Sequence, residues 1–137
     1  MNEIFYQIYV LITGENELTS TLWNHNEGST FFMTGLIMLL LSLAGMAVYY
    51  YVINHPKFSR WLHWLLVVIV ICLINFGIAY AMADGVVFDE YGQGEIGKYT
   101  TQIVTFGFAN AIWSFIFSFI FSLCIKWGSR NCNRSPF

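Results

Sequence analysis

Three long stretches of the chain are apolar almost without interruption, and the charged positions sit only between and around them. No Asp, Glu, Lys or Arg stands between Glu27 and Lys57, between Arg60 and Asp84, or between Lys98 and Lys126, which leaves charge-free runs of 29, 23 and 27 residues. A helix rises about 1.5 Å per residue, so ~20 apolar residues cross a ~30 Å hydrocarbon layer. The pattern predicts three transmembrane helices, at 31–53, 61–83 and 103–125. They must be helical, because an unpaired backbone group in lipid costs several kcal/mol. A β-barrel is excluded, since its strands alternate polar and apolar over ~10 residues and these runs do not.

A shorter apolar run, 4–12, cannot span. Ile4, Phe5, Ile8, Leu11 and Ile12 share one helical face, while Asn2, Glu3 and Gln7 lie elsewhere. This predicts a short amphipathic helix, stopped at Thr13-Gly14, that lies in the interface or packs across the bundle. The first thirty residues hold no Lys or Arg, so the basic start of a secretory signal peptide is missing. His55-Pro56 ends the first span, because proline turns its predecessor away from helix, and 54–59 reads as a tight hairpin. Tyr49, Tyr50, Tyr51, Trp61, Trp64 and Trp127 are expected at one headgroup level, where amphipathic rings are favoured. The fold class is thus an all-α integral membrane protein. An N-terminal segment (1–30) with an interfacial helix precedes a three-helix domain (31–127) and a short tail (128–137).

Composition agrees. Apolar residues make up 57% and charged residues 10% of the chain, against about 25% charged in soluble domains. The aromatic share of 19% argues against disorder. A net charge of −2 gives no cationic footprint for nucleic acid. The charges are also sorted. Lys57, Arg60, Lys126, Arg130 and Arg134 fall at one end of the spans. Every acid falls at the other: Glu3, Glu15, Glu17, Glu27, Asp84, Asp89, Glu90 and Glu95, joined only by Lys98. Basic residues stay cytoplasmic, so the N-terminus is expected outside and the C-terminus inside, in a bacterial inner membrane.

The third span carries the sharpest pattern. On a helical wheel, Gly107, Asn110, Ala111, Ser114, Ser118 and Ser122 fall in one sector of about 120°, interrupted only by Phe121. Asn110, Ser114, Ser118 and Ser122 are successive i,i+4 positions. Small residues at this spacing let a neighbouring helix approach closely, with the hydroxyls bonding across or back to their own backbone. The same stripe could wet one wall of a pore, which a single three-helix chain can enclose only as part of a ring. Asn75, the polar residue at depth in the second span, is expected to bond to a neighbouring helix. Gly77-x3-Ala81 and Gly107-x3-Ala111 predict a close crossing of spans two and three. Met33, Leu36, Leu39, Leu40 and Leu43 are the expected lipid face of span one.

Residues 84–98 read as a Gly-rich loop whose acids, Asp84, Asp89, Glu90 and Glu95, would line an outer mouth. Gly92 to Lys98 resembles a phosphate-binding loop only in part, because Tyr99 replaces its Ser/Thr and no strand precedes it. The cysteines, Cys72, Cys124 and Cys132, are odd in number and give no disulfide framework. Cys72 and Cys124 read as packing residues. Cys124 and Cys132 are also juxtamembrane thiols of the kind that take palmitate. His25, His55 and His63 do not cluster at metal-ligand spacing, and no nucleophile has a nearby base. No metal, cofactor or enzymatic activity is expected.

Two function classes lead, ahead of a small scaffold or regulatory protein. One is a small homo-oligomeric channel or pore with the third span lining a weakly polar path. Three spans, N-out and C-in, with a basic tail, form a layout similar in topology to one class of phage holins, which implies pore formation. The acidic N-terminal thirty residues depart from that layout. The other is a non-catalytic structural or accessory subunit of a larger membrane complex (secretion, transport or phage-defence machinery), whose partners are the lipid bilayer and other membrane subunits.

Overall fold

A computed structural model describes residues 1–53, 61–94 and 96–126. Every described element is helical: α1 (Asn2–Thr13), α2 (Glu17–Asn26), α3 (Ser29–Ala47, continued by π-helical turns over Val48–Ile53), α4 (Trp61–Tyr91) and α5 (Ile96–Lys126). Three helical stretches are long and apolar enough to cross a membrane: Ser29–Val52, Trp61–Tyr91 and Ile96–Ile125. The hairpin 54–59, Glu95, Trp127 and the tail, with Cys132, lie outside the described residues.

Two of the three long helices overrun their expected limits. The supposed loop 84–98 is mostly helix: α4 runs on to Tyr91 and α5 begins at Ile96. At 31 residues each, these helices are about 45 Å long, well beyond a ~30 Å hydrocarbon layer. Their extra turns are held by packing that hydropathy does not register. Ala83, Val86, Val87 and Tyr99 are buried against Leu18, Leu22 and Tyr9 in one apolar cluster. The connection reverses at Gly92, whose φ of 76° suits a residue without Cβ.

The N-terminal segment holds two helices where one is expected. α1 ends at Gly14 (φ 71°), as the sequence predicts. α2 then starts from a capping box: Asn16 Oδ1 accepts from the Thr19 N–H, and Thr19 Oγ1 accepts from the Asn16 N–H, both at 2.9 Å. The Leu18 N–H, another orphan donor of that first turn, is bonded to Gln102 Oε1 of α5 at 2.8 Å. α1 packs across the bundle against α3 and α5, while α2 lies against α3, α4 and α5. The inward face of α1 is centred on Tyr9, with Phe5, Tyr6 and Ile12 beside it. Ile4 and Leu11, expected on that face, are exposed. A Cβ on Gly35 would stand 2.2 Å from the Phe5 ring, so α1 can seat on α3 only because that position is glycine.

A second apolar cluster fills the other end of the bundle with Met46, Tyr49, Tyr50, Trp64, Val68 and Ile71. Here the interfacial expectation for the aromatics is corrected in part. Tyr49, Tyr50 and Trp64 are buried, and among the described members of that set Tyr51 and Trp61 face outward. The wider π-helical turns coincide with two consecutive tyrosines that both point inward. Met33, Leu36, Leu40 and Leu43 are exposed, as expected of a lipid face, and Leu39 is half-buried.

Candidate functional site

Between the two apolar clusters runs a seam of buried polar side chains. α5 supplies Asn110, Ser114, Ser118 and Ser122, none more than 2% exposed. Their i,i+4 spacing places all four on one face, and that face is turned into the bundle. From Asn110 to Ser122 the stripe covers a little over three turns, about 18 Å, more than half of a hydrocarbon layer.

The partners come from every other long helix and from α1. Tyr9 Oη donates to Asn110 Oδ1 at 2.5 Å. Asn110 Nδ2 donates to the Asn75 backbone carbonyl at 2.7 Å. Asn75 Nδ2 donates to Ser114 Oγ at 2.8 Å, and Ser42 Oγ of α3 lies 3.2 Å from the same oxygen. Further along, Ser122 Oγ accepts from the Trp64 indole at 3.0 Å and pairs with Tyr50 Oη at 2.6 Å. Asn75 therefore bonds across helices as its sequence position suggests. Ser118 Oγ and Asn75 Oδ1 are buried with no hydrogen-bond partner among the described residues.

The seam ties three helices at two levels, and α1 is stitched to its end. The Trp113 indole adds a bond from α5 to the Ile8 carbonyl at 3.0 Å. Burial pushes the Tyr9 phenol well above its ordinary pKa range, because phenolate would lose its hydration there. Asn110 and Asn75 join the chain through amide N–H donors, which cannot pass a proton along as hydroxyls do. Each of these bonds joins one helix to another.

The small-residue motifs divide. Gly107 meets α4, where a Cβ would come within 2.8 Å of the Phe76 ring, and Ala111 is half-buried. Gly77 and Ala81 are not at that crossing: both are exposed, and a Cβ on Gly77 would meet nothing within 4 Å. The expected contact is made by Phe76 instead, one residue earlier, so the crossing is a ring seated on a glycine rather than two glycine faces. Gly85, also exposed with open space, continues the row at i+4.

Asp84, Asp89 and Glu90 lie on the last two turns of α4, with Asp89 and Glu90 exposed. Glu90 pairs with His25 of α2 at 2.9 Å. Lys98 lies 3.9 Å from Glu17 and over the Tyr99 ring. No group of three metal-ligating side chains occurs among the described residues. Cys72 is half-buried and Cys124 is exposed. Compared with known proteins, the chain matches no family model, no curated protein and no solved structure.

Sequence reasoning missed α2, the inward Tyr50 and Trp64, and Tyr9 as the partner of Asn110. Asn16 followed three residues on by Thr19 was the available signal for α2. Nothing local distinguishes Tyr9 from Tyr6.

Proposed function

We propose that the chain is a non-catalytic structural or accessory subunit of a larger membrane complex, of the kind found in secretion, transport or phage-defence machinery. One observation carries this reading: the polar stripe of α5 is buried inside the chain, and three of its four side chains, Asn110, Ser114 and Ser122, are bonded to Ser42, Asn75, Tyr9, Tyr50 and Trp64. A channel lined by Asn110, Ser114, Ser118 and Ser122 would need those side chains turned toward water in a ring of subunits. Exposing them would break the interhelical bonds and uncover the apolar clusters at both ends.

What the bundle offers a partner is its outer surface. Along α4, Gly77, Ala81 and Gly85 form an exposed row at i, i+4 and i+8. Small residues in such a row let a second transmembrane helix approach backbone to backbone. We assign that row to a helix of a partner subunit. The proposed setting is a bacterial inner membrane, with the acidic end and the N-terminus outside, and it rests on the sorting of basic and acidic residues.

The test is purification from native membranes and reconstitution of the chain alone in liposomes. The expected result is baseline ion flux from the purified chain, together with a stoichiometric membrane partner that is lost on Ala81→Leu. Conductance by the chain alone that disappears in Ser118→Leu would overturn the accessory reading and restore the pore.

A further inference from the structure

The seam contains two unmatched polar atoms, both on residues next to Ser114. Asn75 uses Nδ2 on Ser114 Oγ and leaves Oδ1, on the same amide carbon, without a partner among the described residues. Turning the amide over would exchange an orphan acceptor for an orphan donor and solve nothing. Ser118, one turn along α5 from Ser114, is 0% exposed and leaves its Oγ unbonded. Buried polar groups with no protein partner are characteristically met by an ordered water that makes two to four hydrogen bonds.

The spacing suits one. Residues four apart on a helix are displaced by about 6 Å along its axis, and two hydrogen bonds of ~2.8 Å end to end cover nearly that length. Ser114 has capacity to join. A hydroxyl offers one donor and two acceptor positions; Ser114 Oγ spends two of the three on Asn75 and Ser42, and only the Cys72 thiol, a weak hydrogen-bonding group, competes with a water for the third. We propose that an ordered water molecule occupies the bundle interior between Asn75, Ser114 and Ser118, donating to Asn75 Oδ1 and bonding both serine hydroxyls. The occupant is uncharged. The three oxygens around it are neutral, and no carboxylate or base lies in the described transmembrane stretch of α3, α4 or α5 at that level. A bare cation would have no countercharge there.

This water extends the first half of the seam by one turn, to Ser118. Without it, the Tyr9–Asn110–Asn75–Ser114–Ser42 group stops one turn short of Ser118, and the Ser122–Tyr50–Trp64 group begins one turn beyond. The site rests on the closed bundle of the accessory reading, since a pore would turn Ser114 and Ser118 to bulk water instead.

The test uses the full chain reconstituted in lipid bilayers and read by solid-state NMR, following magnetisation from water protons into the protein. The expected result is rapid transfer to Asn75 and Ser118, above that seen at the buried neighbours Val68 and Ile71. In Ser118→Val, which fills the place with methyl groups, the transfer at Asn75 is lost while the helical spectrum is kept. Equal, slow transfer at Asn75, Ser118, Val68 and Ile71 in the wild-type chain overturns the proposal. So does a high-resolution structure in which the Ser118 hydroxyl is bonded to the Ser114 carbonyl and no water density touches Asn75. These wild-type measurements stand even if Ser118→Val fails to fold.

Discussion

Replacing Asn110 by Leu tests whether the seam stabilises the bundle. The two side chains have similar volume, so the change removes polarity with little change in packing. Two bonds are lost, from Tyr9 Oη at 2.5 Å and to the Asn75 carbonyl at 2.7 Å. Hydrogen bonds between transmembrane helices average about 0.6 kcal/mol each, because the unfolded chain in lipid also finds partners. Tyr9 is fully buried, so its hydroxyl is left orphaned, at about 1–3 kcal/mol. The carbonyl of Asn75 sits within α4 and keeps its helical bond, so it adds little. The expected destabilisation is about 2–3 kcal/mol, measured by denaturant titration in bicelles. Tyr9→Phe removes the same hydroxyl from the other side, and in an Asn110→Leu background it should recover most of the orphan cost. The double-mutant cycle should therefore show a coupling of about 1–2 kcal/mol. Strict additivity, or an Asn110→Leu effect within about 0.5 kcal/mol of wild type, would refute the reasoning, because the seam would then carry no net stability.

Further outcomes follow from single contacts. Gly35→Leu drives a side chain into the Phe5 ring, so the amides of residues 2–13 should lose hydrogen-exchange protection while α4 and α5 keep theirs. Gly107→Val should weaken the α4–α5 crossing by about 1–3 kcal/mol through its clash with Phe76, whereas Gly77→Val should stay within about 0.5 kcal/mol in the isolated chain; equal effects would contradict the assigned faces. The folded chain holds the Tyr9 proton more tightly than the unfolded one. That contribution is complete below about pH 10, the unfolded phenol value, and is lost as pH climbs toward the raised folded value. Alkaline unfolding curves should accordingly be less steep for Tyr9→Phe than for wild type. His25→Ala breaks an exposed pair with Glu90 and should cost less than about 1 kcal/mol.

Hydropathy made the three long helices legible, because crossing lipid demands an unbroken apolar run and little else in a sequence imitates one. It misjudged where they stop for the same reason. Asp84, Asp89 and Glu90 look like a loop to any scale that counts charge, yet Val86 and Val87 between them, with Ala83 beside them, are packed by α2. Two faces of one helix have different surroundings there, and an average over consecutive residues cannot separate them. The aromatic belt was misjudged in the direction its rings face. Tyr50 and Trp64 have the amphipathic shape that suits a headgroup region, but the same shape suits a seam in which the polar tip meets Ser122.

The polar stripe of α5 was visible from spacing alone, but spacing is symmetric between a pore wall and a helix contact. What separates the two is whether partners exist at matching heights on other helices, and that depends on register. Asn75 sits opposite Ser114 only because α4 and α5 run antiparallel through a short reversal at Gly92. Ser42 reaches the same oxygen from α3. A pore would require every one of these donors to find water in exchange, and the Trp64 indole and Tyr9 phenol would each have to leave an apolar cluster to do so. Opening the stripe is therefore opposed at both of its ends by the packing of Tyr9 and Trp64 in apolar clusters, as well as by the hydrogen bonds between them.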